Sequence, residues 1–254
     1  MKPKDRNIPL GRSVLILVEG DEDLFTLSNF IGDVNPDLAL RKKYNQIHFF
    51  PYAQAEVQKS LGKDALRYAL QELSKVPGFQ HITVVGVICD ADVLPEGNIT
   101  AKQATTEHVK SALGSIGWAV PTSSGQWIQN TPVDLPNLKW VGFLVVPPNR
   151  DSGCLETMLW ESVSDKISNL KTCAEGLLKC AEPVYAKEFP DRVNQPNHEN
   201  WRDKVRVHAL LAGCEEPQTH TTTATLKGYW NFEAAGLAAV LAFLREGQQR
   251  SLGS

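Results

Sequence analysis

The sequence contains no long apolar run and no paired cysteine motif, and these absences exclude two classes of protein. Its longest apolar stretches, at 14–18 and 141–148, are far shorter than the roughly 18 to 20 residues that a membrane-spanning helix needs. Five cysteines, an odd number without a Cys-x-x-Cys pair, argue against a disulfide framework and against a structural zinc site. We therefore expect a soluble protein whose fold depends on neither.

The chain also lacks an excess of positive charge. Its 26 Lys and Arg residues against 29 Asp and Glu give a formal net charge of −3. Because affinity for duplex DNA comes largely from cationic contacts to phosphate, we do not expect strong autonomous binding to DNA. The charged first residues have no apolar segment of the kind found in a secretory signal, which predicts a cytoplasmic protein, and no membrane is expected among its partners.

Short apolar runs alternate with helical stretches over the region 1–163. Strands are predicted at 13–18, 46–50, 81–89 and 139–146, and helices at 21–31, 56–76, 106–116 and 155–163. The first strand has five consecutive apolar residues, which leaves no polar face for water. Strands that are buried on both faces and alternate with helices predict an α/β fold, with a mainly parallel sheet flanked by helices.

The pattern becomes purely helical in the region 164–254. Helices are predicted at 165–181, 201–212 and 232–246, joined by connections rich in Pro, Asn and Thr. No strand pattern is present among them. The sequence therefore predicts an α/β domain at 1–163 and an α-helical C-terminal extension at 164–254 packed on it.

Acidic residues follow three of the predicted strands. Glu19 comes directly after the first strand, Asp90 and Asp92 come at the end of the third, and Glu156 comes shortly after the fourth. Functional groups gather at the carboxyl ends of parallel strands, so these side chains are expected to meet. Converging carboxylates repel one another unless a cation lies among them, and hard oxygen ligands suit Mg²⁺ or Mn²⁺.

The spacing of these acids supports a shared metal site. Asp90 and Asp92 lie two residues apart on an extended chain, so both side chains can point to the same side. Glu19 and Asp23 lie four residues apart, so both can face one cleft if a helix begins near residue 20. Taken singly, each acid is explained as a helix cap or a solvated loop charge. Acids at three parallel strand ends favour a functional site.

These motifs resemble the Toprim domain of type IA and type II topoisomerases, bacterial primases and OLD-family nucleases. The resemblance rests on VEGxxD at 18–23, VICDAD at 87–92 and GxLE at 153–156, and it covers roughly residues 13–163. Within this group, the chain is most similar to small standalone Toprim proteins of the OLD-like type.

The resemblance implies a metal-dependent phosphoryl transfer on nucleic acid, with DNA expected ahead of RNA. Glu19, Asp90 and Asp92 would be catalytic residues that hold Mg²⁺ or Mn²⁺. By likeness to the OLD family, Asp23 and Glu156 would complete a second metal position, as in nucleases that use two metal ions. The predicted activity is the cleavage of phosphodiester bonds by a nuclease or a nuclease subunit.

Nucleases of this likeness also carry a lysine after the Toprim region, and Lys204 is the candidate here. A fixed ammonium near the phosphoryl oxygens typically lowers the reaction barrier by a few kcal/mol. Lys204 begins an apolar-faced helix that can hold it in place, whereas a solvated helix lysine without a role is the alternative. Lys227 is the second candidate.

The sequence lacks the G-x-x-x-x-G-K-[ST] loop, and with it the ATPase that OLD proteins join to their Toprim domain. The resemblance therefore implies a separately encoded AAA or ABC-type ATPase as partner, in a phage-defence pair. No tyrosine lies beside the acids in a topoisomerase-like context, so strand passage is not expected.

Other functions compete with the nuclease hypothesis. A phosphatase of the haloacid dehalogenase type would place its D-x-D on the first strand, and a nucleotide-sugar transferase would not require Glu19. A response-regulator receiver is a poor fit to 254 residues and to the gap between Asp23 and Asp90. A non-catalytic regulatory or nucleic-acid-binding subunit of an ATPase complex stays open.

Two further side chains are candidates for direct contact with nucleic acid. Trp127 lies in the polar segment 123–128 and would stack on a base. Arg150 lies just before the Glu156 motif, where it would either meet a phosphate or pair with Asp151.

Overall fold

The structure is a computed structural model that describes residues 7–31, 44–52, 65–92, 98–132, 134–193, 198–214, 224–225 and 227–253. Its strands are β1 (Val14–Val18), β2 (Ile47–Pro51), β3 (Val84–Asp90), β4 (Trp127–Gln129) and β5 (Trp140–Val146). Its helices are α1 (Asp21–Phe30), α2 (Ala65–Glu72), α3 (Ala101–Ser115), α4 (Leu155–Glu161), α5 (Leu170–Glu188), α6 (Pro190–Val193), α7 (His198–Ala212) and α8 (Ala235–Leu252).

The five strands form one sheet in the order β2-β1-β3-β5-β4. The interior strand β1 pairs in parallel with both β2 and β3, so that Val14 lies opposite Ile47 on one side and Val84 on the other. The edge strand β4 is antiparallel to β5. The predicted α/β fold, a mainly parallel sheet flanked by helices, is confirmed.

The apolar runs of the sequence form the interior of this sheet. All five residues of β1 are fully buried, and the first six residues of β3 and the last six of β5 are buried as well. Burying a single Val, Leu or Ile side chain stabilises a fold by about 1.5–3 kcal/mol. The frame from which the strand ends project is therefore held mainly by apolar packing.

Several element boundaries differ from the prediction. The three-residue edge strand β4 is not predicted by the sequence pattern, and the helix predicted to end at residue 181 continues, as α5, through Pro183 to Glu188. Proline removes one helical hydrogen bond, but beyond it Tyr185 stacks on Trp201 of α7 with 3.9 Å between the ring centroids, and this packing outweighs that loss. The predicted helix 56–76 is described only from residue 65, and its first part lies outside the described residues.

In the part of the chain beyond residue 163 that the structure describes, regular secondary structure is helical, as predicted. An isolated antiparallel bridge joins Val163 to Trp230. None of the described helices combines the length and the apolar character needed to cross a bilayer.

The chain divides into two compact units. Unit 1 comprises residues 1–89, 105–145 and 240–254, and unit 2 comprises residues 90–104 and 146–239. Each unit thus gathers segments that are distant in the sequence. The predicted boundary between 1–163 and 164–254 stays a prediction.

Unit 1 contains a tryptophan that the sequence analysis assigned to base stacking, and this assignment is wrong. Trp127 is only 5% exposed, its ring stacks on Phe243 with 4.4 Å between ring centroids, and its Nε1 donates to the Phe243 carbonyl at 3.2 Å. A Cβ added at Gly142 or Gly247 would come within 2.5 or 2.7 Å of the indole. The residues before Trp127 are polar, so the sequence pattern did not indicate that Trp127 begins a short strand and lies in the core.

Unit 2 contains a pair of helices joined by charged side chains. Arg206 of α7 contacts Glu175 of α5 at 2.9 Å, and Arg202 of α7 contacts Glu182 of α5 at the same distance. Since the residue numbers rise on one helix as they fall on the other, the two helices run antiparallel. Helix α4 also packs against α7.

Candidate metal centre

The carboxyl ends of β1 and β3 form the point where the order of strands in the sheet reverses. The chain passes from β1 to β2 on one side of β1, and then returns to β3 on the other side. In open α/β sheets, ligands bind outside the carboxyl ends of the strands at such a switch point. Glu19 follows β1 directly, and Asp90 is the last residue of β3.

Three of the predicted acids come together at this point. One carboxylate oxygen from each of Glu19, Asp90 and Asp92 lies within 4.8 Å of the other two, and all three residues are partly buried. Like charges at this spacing disfavour one another's ionised forms unless a cation lies among them. The cluster therefore has the composition and the spacing of a ligand set for a hard divalent cation.

Glu19 gives an independent indication that the cluster fits a metal. Its Oε2 atom is buried and has no hydrogen-bond partner among the residues that the structure describes. A buried polar atom without a partner is unfavourable by about 1–3 kcal/mol, and by more when it carries charge. A metal ion coordinated by this oxygen would remove that penalty.

The carboxylate of Asp90 is oriented by the start of α4. Its Oδ1 accepts a hydrogen bond from the backbone amide of Leu155 at 3.0 Å. The next residue, Ala91, donates its amide to the Val146 carbonyl at 2.7 Å and accepts the Gly153 amide at 3.1 Å. These bonds fix the segment that leads into α4 beside Asp90.

Gly153 is the residue that allows this close approach. Its φ of +139° lies in a region that side-chain-bearing residues rarely adopt. An added Cβ would lie 2.8 Å from Pro147 Cγ and 2.9 Å from Thr157 Oγ1. The backbone conformation and the close neighbours therefore require glycine at this position of the GxLE motif, independently of any family resemblance.

Lys204 and Glu156, two residues proposed for the site from the sequence, lie next to each other in the structure. The Lys204 Nζ lies 4.0 Å from Glu156 Oε1, with the lysine side chain 48% exposed and the glutamate side chain 14% exposed. Lys227, the second candidate, is exposed, and its backbone carbonyl accepts a hydrogen bond from Lys166. The contact with Glu156 favours Lys204 over Lys227.

Neither Asp23 nor Glu156 belongs to the three-carboxylate cluster found among the described residues. Asp23 is the third residue of α1, and its Oδ2 accepts the Gly20 amide at 3.0 Å, which is the bond of a helix cap. The second metal position, with Asp23 and Glu156 as ligands, stays a prediction.

Arg150 has a partner that the sequence analysis did not propose. Its Nε donates to Glu161 Oε1 at 2.5 Å, and the expected alternative was Asp151. Together with Lys102, Arg150 lines an open polar cavity of about 460 Å³. Contact of this arginine with phosphate stays a prediction.

The buried Cys154 reports the negative field of the site. Burial raises the pKa of its thiol, and the charges of Asp90 and Glu156 raise this pKa further. The thiol therefore stays protonated and neutral. Cys154, Cys89 and Cys214 are buried, as expected for small apolar side chains, whereas Cys173 and Cys180 are exposed.

Two buried polar residues of the site were missed by the sequence analysis. Thr157 Oγ1 donates to Asp203 Oδ2 at 2.6 Å and accepts the Cys154 amide at 3.1 Å. Thr157 stands three residues after Cys154, the N-cap of α4, but Cys-x-x-Thr is not the Ser/Thr-x-x-Glu/Gln pattern by which a helix cap is recognised in a sequence. Asp203 lies on the buried face of α7 beside Asn200 and Val207, and its partner on α4 cannot be identified from the local sequence.

Residues 13–248 match the model of a family described as a protein of unknown function, DUF3226. No curated protein and no solved structure matches the chain.

Proposed function

The chain belongs to the DUF3226 family, and we propose that it is a Toprim-like, Mg²⁺- or Mn²⁺-dependent nuclease or nuclease subunit. The observation that carries the proposal is the cluster of Glu19, Asp90 and Asp92 at the switch point of a mainly parallel sheet. Clusters of carboxylates that hold divalent cations serve phosphoryl transfer in many folds. The VEGxxD, VICDAD and GxLE motifs add the Toprim resemblance.

Each residue has a distinct task in this proposal. Glu19, Asp90 and Asp92 hold the metal ion, which when bound supplies positive charge to the phosphoryl oxygens and lowers the pKa of a water nucleophile. The Leu155 amide holds the Asp90 carboxylate in a fixed orientation. Lys204 supplies a second positive charge for the phosphoryl oxygens, and its ammonium lies 4.0 Å from Glu156.

The proposed substrate is nucleic acid, with DNA favoured over RNA. We propose that the protein acts in the cytoplasm. A net charge of −3 provides little attraction for a polyanion. We therefore also propose that a separately encoded AAA or ABC-type ATPase supplies contacts to the substrate, as in a phage-defence pair. The same charge balance favours the second candidate function, a non-catalytic subunit of such a complex.

A cleavage assay tests the proposal. The protein is incubated with single- and double-stranded DNA and RNA, with and without Mg²⁺ or Mn²⁺, beside Asp92→Ala. We expect metal-dependent cleavage that Asp92→Ala lowers by at least about 100-fold. Asp151→Ala removes an exposed carboxylate outside the cluster and is the matched control, with activity expected to equal wild type.

The assay also separates the two candidate functions. Absence of cleavage with every substrate and both metals, also after addition of a cognate ATPase, would favour the non-catalytic subunit. Cleavage that persists in Asp92→Ala would mean that the three-carboxylate cluster is not the active site.

A further inference from the structure

A chain of buried polar side chains connects α4 to α7. Thr157 Oγ1 donates to Asp203 Oδ2 at 2.6 Å, and Arg206 Nη1 donates to Asp203 Oδ1 at 2.7 Å. Thr157 is 3% exposed and Asp203 is 4% exposed. A carboxylate buried to this degree is strongly unfavourable unless its oxygens are paired, and here each oxygen has a partner.

The Thr157 hydroxyl can adopt only one orientation in this chain. It accepts the Cys154 amide at 3.1 Å while it donates to Asp203. Its acceptor role belongs to the cap of α4, and its donor role belongs to the contact with α7. The hydroxyl therefore ties the first turn of α4 to a single position on α7.

That position on α7 is directly before Lys204. Since Asp203 and Lys204 are consecutive, a bond that fixes Asp203 also fixes the backbone from which the lysine projects. Helix α7 can neither rotate about its axis nor slide along α4 without breaking the 2.6 Å bond.

The contact between Lys204 and Glu156 is too weak to hold the lysine alone. It spans 4.0 Å, and the lysine side chain is half exposed. Ion pairs of this kind contribute little, because water and salt screen them and the flexible side chain loses entropy. The buried bond between Thr157 and Asp203 is charge-assisted and shielded from water, so it is the stronger constraint.

Helix α5 completes the arrangement from the other side of Asp203. Arg206 contacts Glu175 of α5 at 2.9 Å and Glu199 of α7 at 3.1 Å, besides Asp203. Burial alone would lower the pKa of Arg206, but its hydrogen bonds to Asp203 and Glu199 outweigh burial and raise it. Arg206 thus stays charged and keeps the second oxygen of Asp203 occupied.

We propose that Asp203, held by Thr157, is a positioning residue that keeps the Lys204 ammonium beside Glu156 for the phosphoryl group of the substrate. Asp203 is buried and paired, so it touches neither substrate nor metal. The role of Lys204 in catalysis rests on the proposed function, whereas the placement of Lys204 by Asp203 is a property of unit 2 by itself.

The first part of the test measures this placement without any substrate or metal. A carbodiimide joins a lysine amine to a carboxylate only when the two are in contact, and mass spectrometry quantifies the link between Lys204 and Glu156. We expect Thr157→Val and Asp203→Asn to lower the yield of this link several-fold. Thr157→Ser, which keeps the hydroxyl, should restore the yield of wild type.

Glu175→Gln is the matched control, because it removes a partner of Arg206 and leaves the bond between Thr157 and Asp203 intact. Its yield of the link should equal that of wild type. Thermal melting of every variant checks that it is folded. An unchanged yield in folded Thr157→Val and Asp203→Asn would overturn the proposal, and an equal loss in Glu175→Gln would reduce Asp203 to a general structural role.

The second part uses cleavage kinetics. Misplacement of a catalytic group by about 1 Å can lower turnover by about 100-fold, so we expect Thr157→Val to lower kcat by about 10- to 100-fold with KM little changed. Thr157→Ser and Glu175→Gln should keep the kcat of wild type. If no variant cleaves but the cross-linking pattern holds, the proposed function fails while the positioning of Lys204 stands. If kcat is unchanged in Thr157→Val although the link is lost, Lys204 has no catalytic role.

Discussion

Unit 1 and unit 2 are stabilised by different kinds of contact. In unit 1, β1 is apolar and fully buried, and the Trp127 indole is packed against Phe243 and two glycines. In unit 2, the contacts of α7 with α4 and α5 include a buried hydroxyl, a buried carboxylate and an arginine that bridges three acids. Unit 1 is stabilised mainly by close apolar packing, whereas unit 2 also contains a network of buried hydrogen bonds and ion pairs.

We relate this difference in contacts to the groups that each unit holds in place. Apolar attraction has no preferred direction, so it can define a rigid sheet without orienting any particular polar group. Hydrogen bonds between buried groups specify direction, and a fully paired network is rigid. The polar contacts of unit 2 lie next to Glu156 and Lys204, the residues whose orientation matters for the proposed chemistry.

The largest expected effect lies in unit 1. Trp127→Ala should lower the free energy of unfolding by about 3–5 kcal/mol, because it removes a large buried ring that nearby glycines leave room for. Denaturant unfolding measures this change. Trp140→Ala is the control, since Trp140 is only partly buried at the start of β5, and its loss should be clearly smaller. Equal losses would contradict the description of Trp127 as a central core residue.

A glycine substitution should have the next largest effect, in unit 2. Gly153→Ala places a Cβ 2.8 Å from Pro147 at a φ of +139°, and the backbone strain alone amounts to about 1–3 kcal/mol. We expect a lower melting temperature and weaker cleavage.

The matched control is Gly176→Ala in α5, where an added Cβ meets nothing within 4 Å. Alanine favours a helix over glycine, so this variant should gain up to about 1 kcal/mol in stability. A Gly153→Ala protein as stable as wild type would show that the segment before α4 is not fixed as described.

The smallest expected effect is the response of the charged network to acid. Burial alone would raise the pKa of Glu199, but its hydrogen bonds and ion pairs with Arg206 and Arg202 outweigh burial and lower it. A carboxyl whose pKa is lower in the folded state stabilises the fold above its unfolded pKa of about 4.3, and this contribution is lost as the pH falls through the folded pKa.

Glu199→Gln should therefore lower the melting temperature slightly near neutral pH, where the ionised carboxylate stabilises the fold, and should approach wild type at acidic pH, so that the fall in melting temperature with acid becomes flatter. The side chain is half exposed, so the effect is expected to be small. If the melting temperature of Glu199→Gln falls with acid as steeply as that of wild type, groups other than Glu199 cause the loss of stability.

The sheet was predictable because each strand is marked by residues that are consecutive in the sequence. Runs such as Val14–Val18 have no polar face, and acids directly after such runs must lie at the carboxyl edge of a parallel sheet. The cluster of Glu19, Asp90 and Asp92 follows from these two rules. The edge strand β4 was missed because three residues provide too short a pattern.

The contacts of unit 2 were less predictable because they depend on distant partners. Nothing near Asp203 indicates that its carboxylate is buried against Thr157, which lies 46 residues earlier in the chain. Helix α5 likewise continues past residue 181, because the stacking of Tyr185 on Trp201 of α7 outweighs the local penalty of Pro183. Asp23 was read as a possible ligand, although a cap at the start of α1 explains its contact with Gly20.

Calorimetric titration with Mn²⁺ tests the central claim, that Glu19, Asp90 and Asp92 form a metal site. We expect saturable binding to wild type, a loss of affinity of about 10-fold or more in Glu19→Gln, and no loss in Glu22→Gln, which removes an exposed acid three residues away. Without metal, Glu19→Gln should be at least as stable as wild type, because it relieves repulsion among like charges. Absence of saturable binding to wild type, or equal affinity in Glu19→Gln, would contradict the metal site.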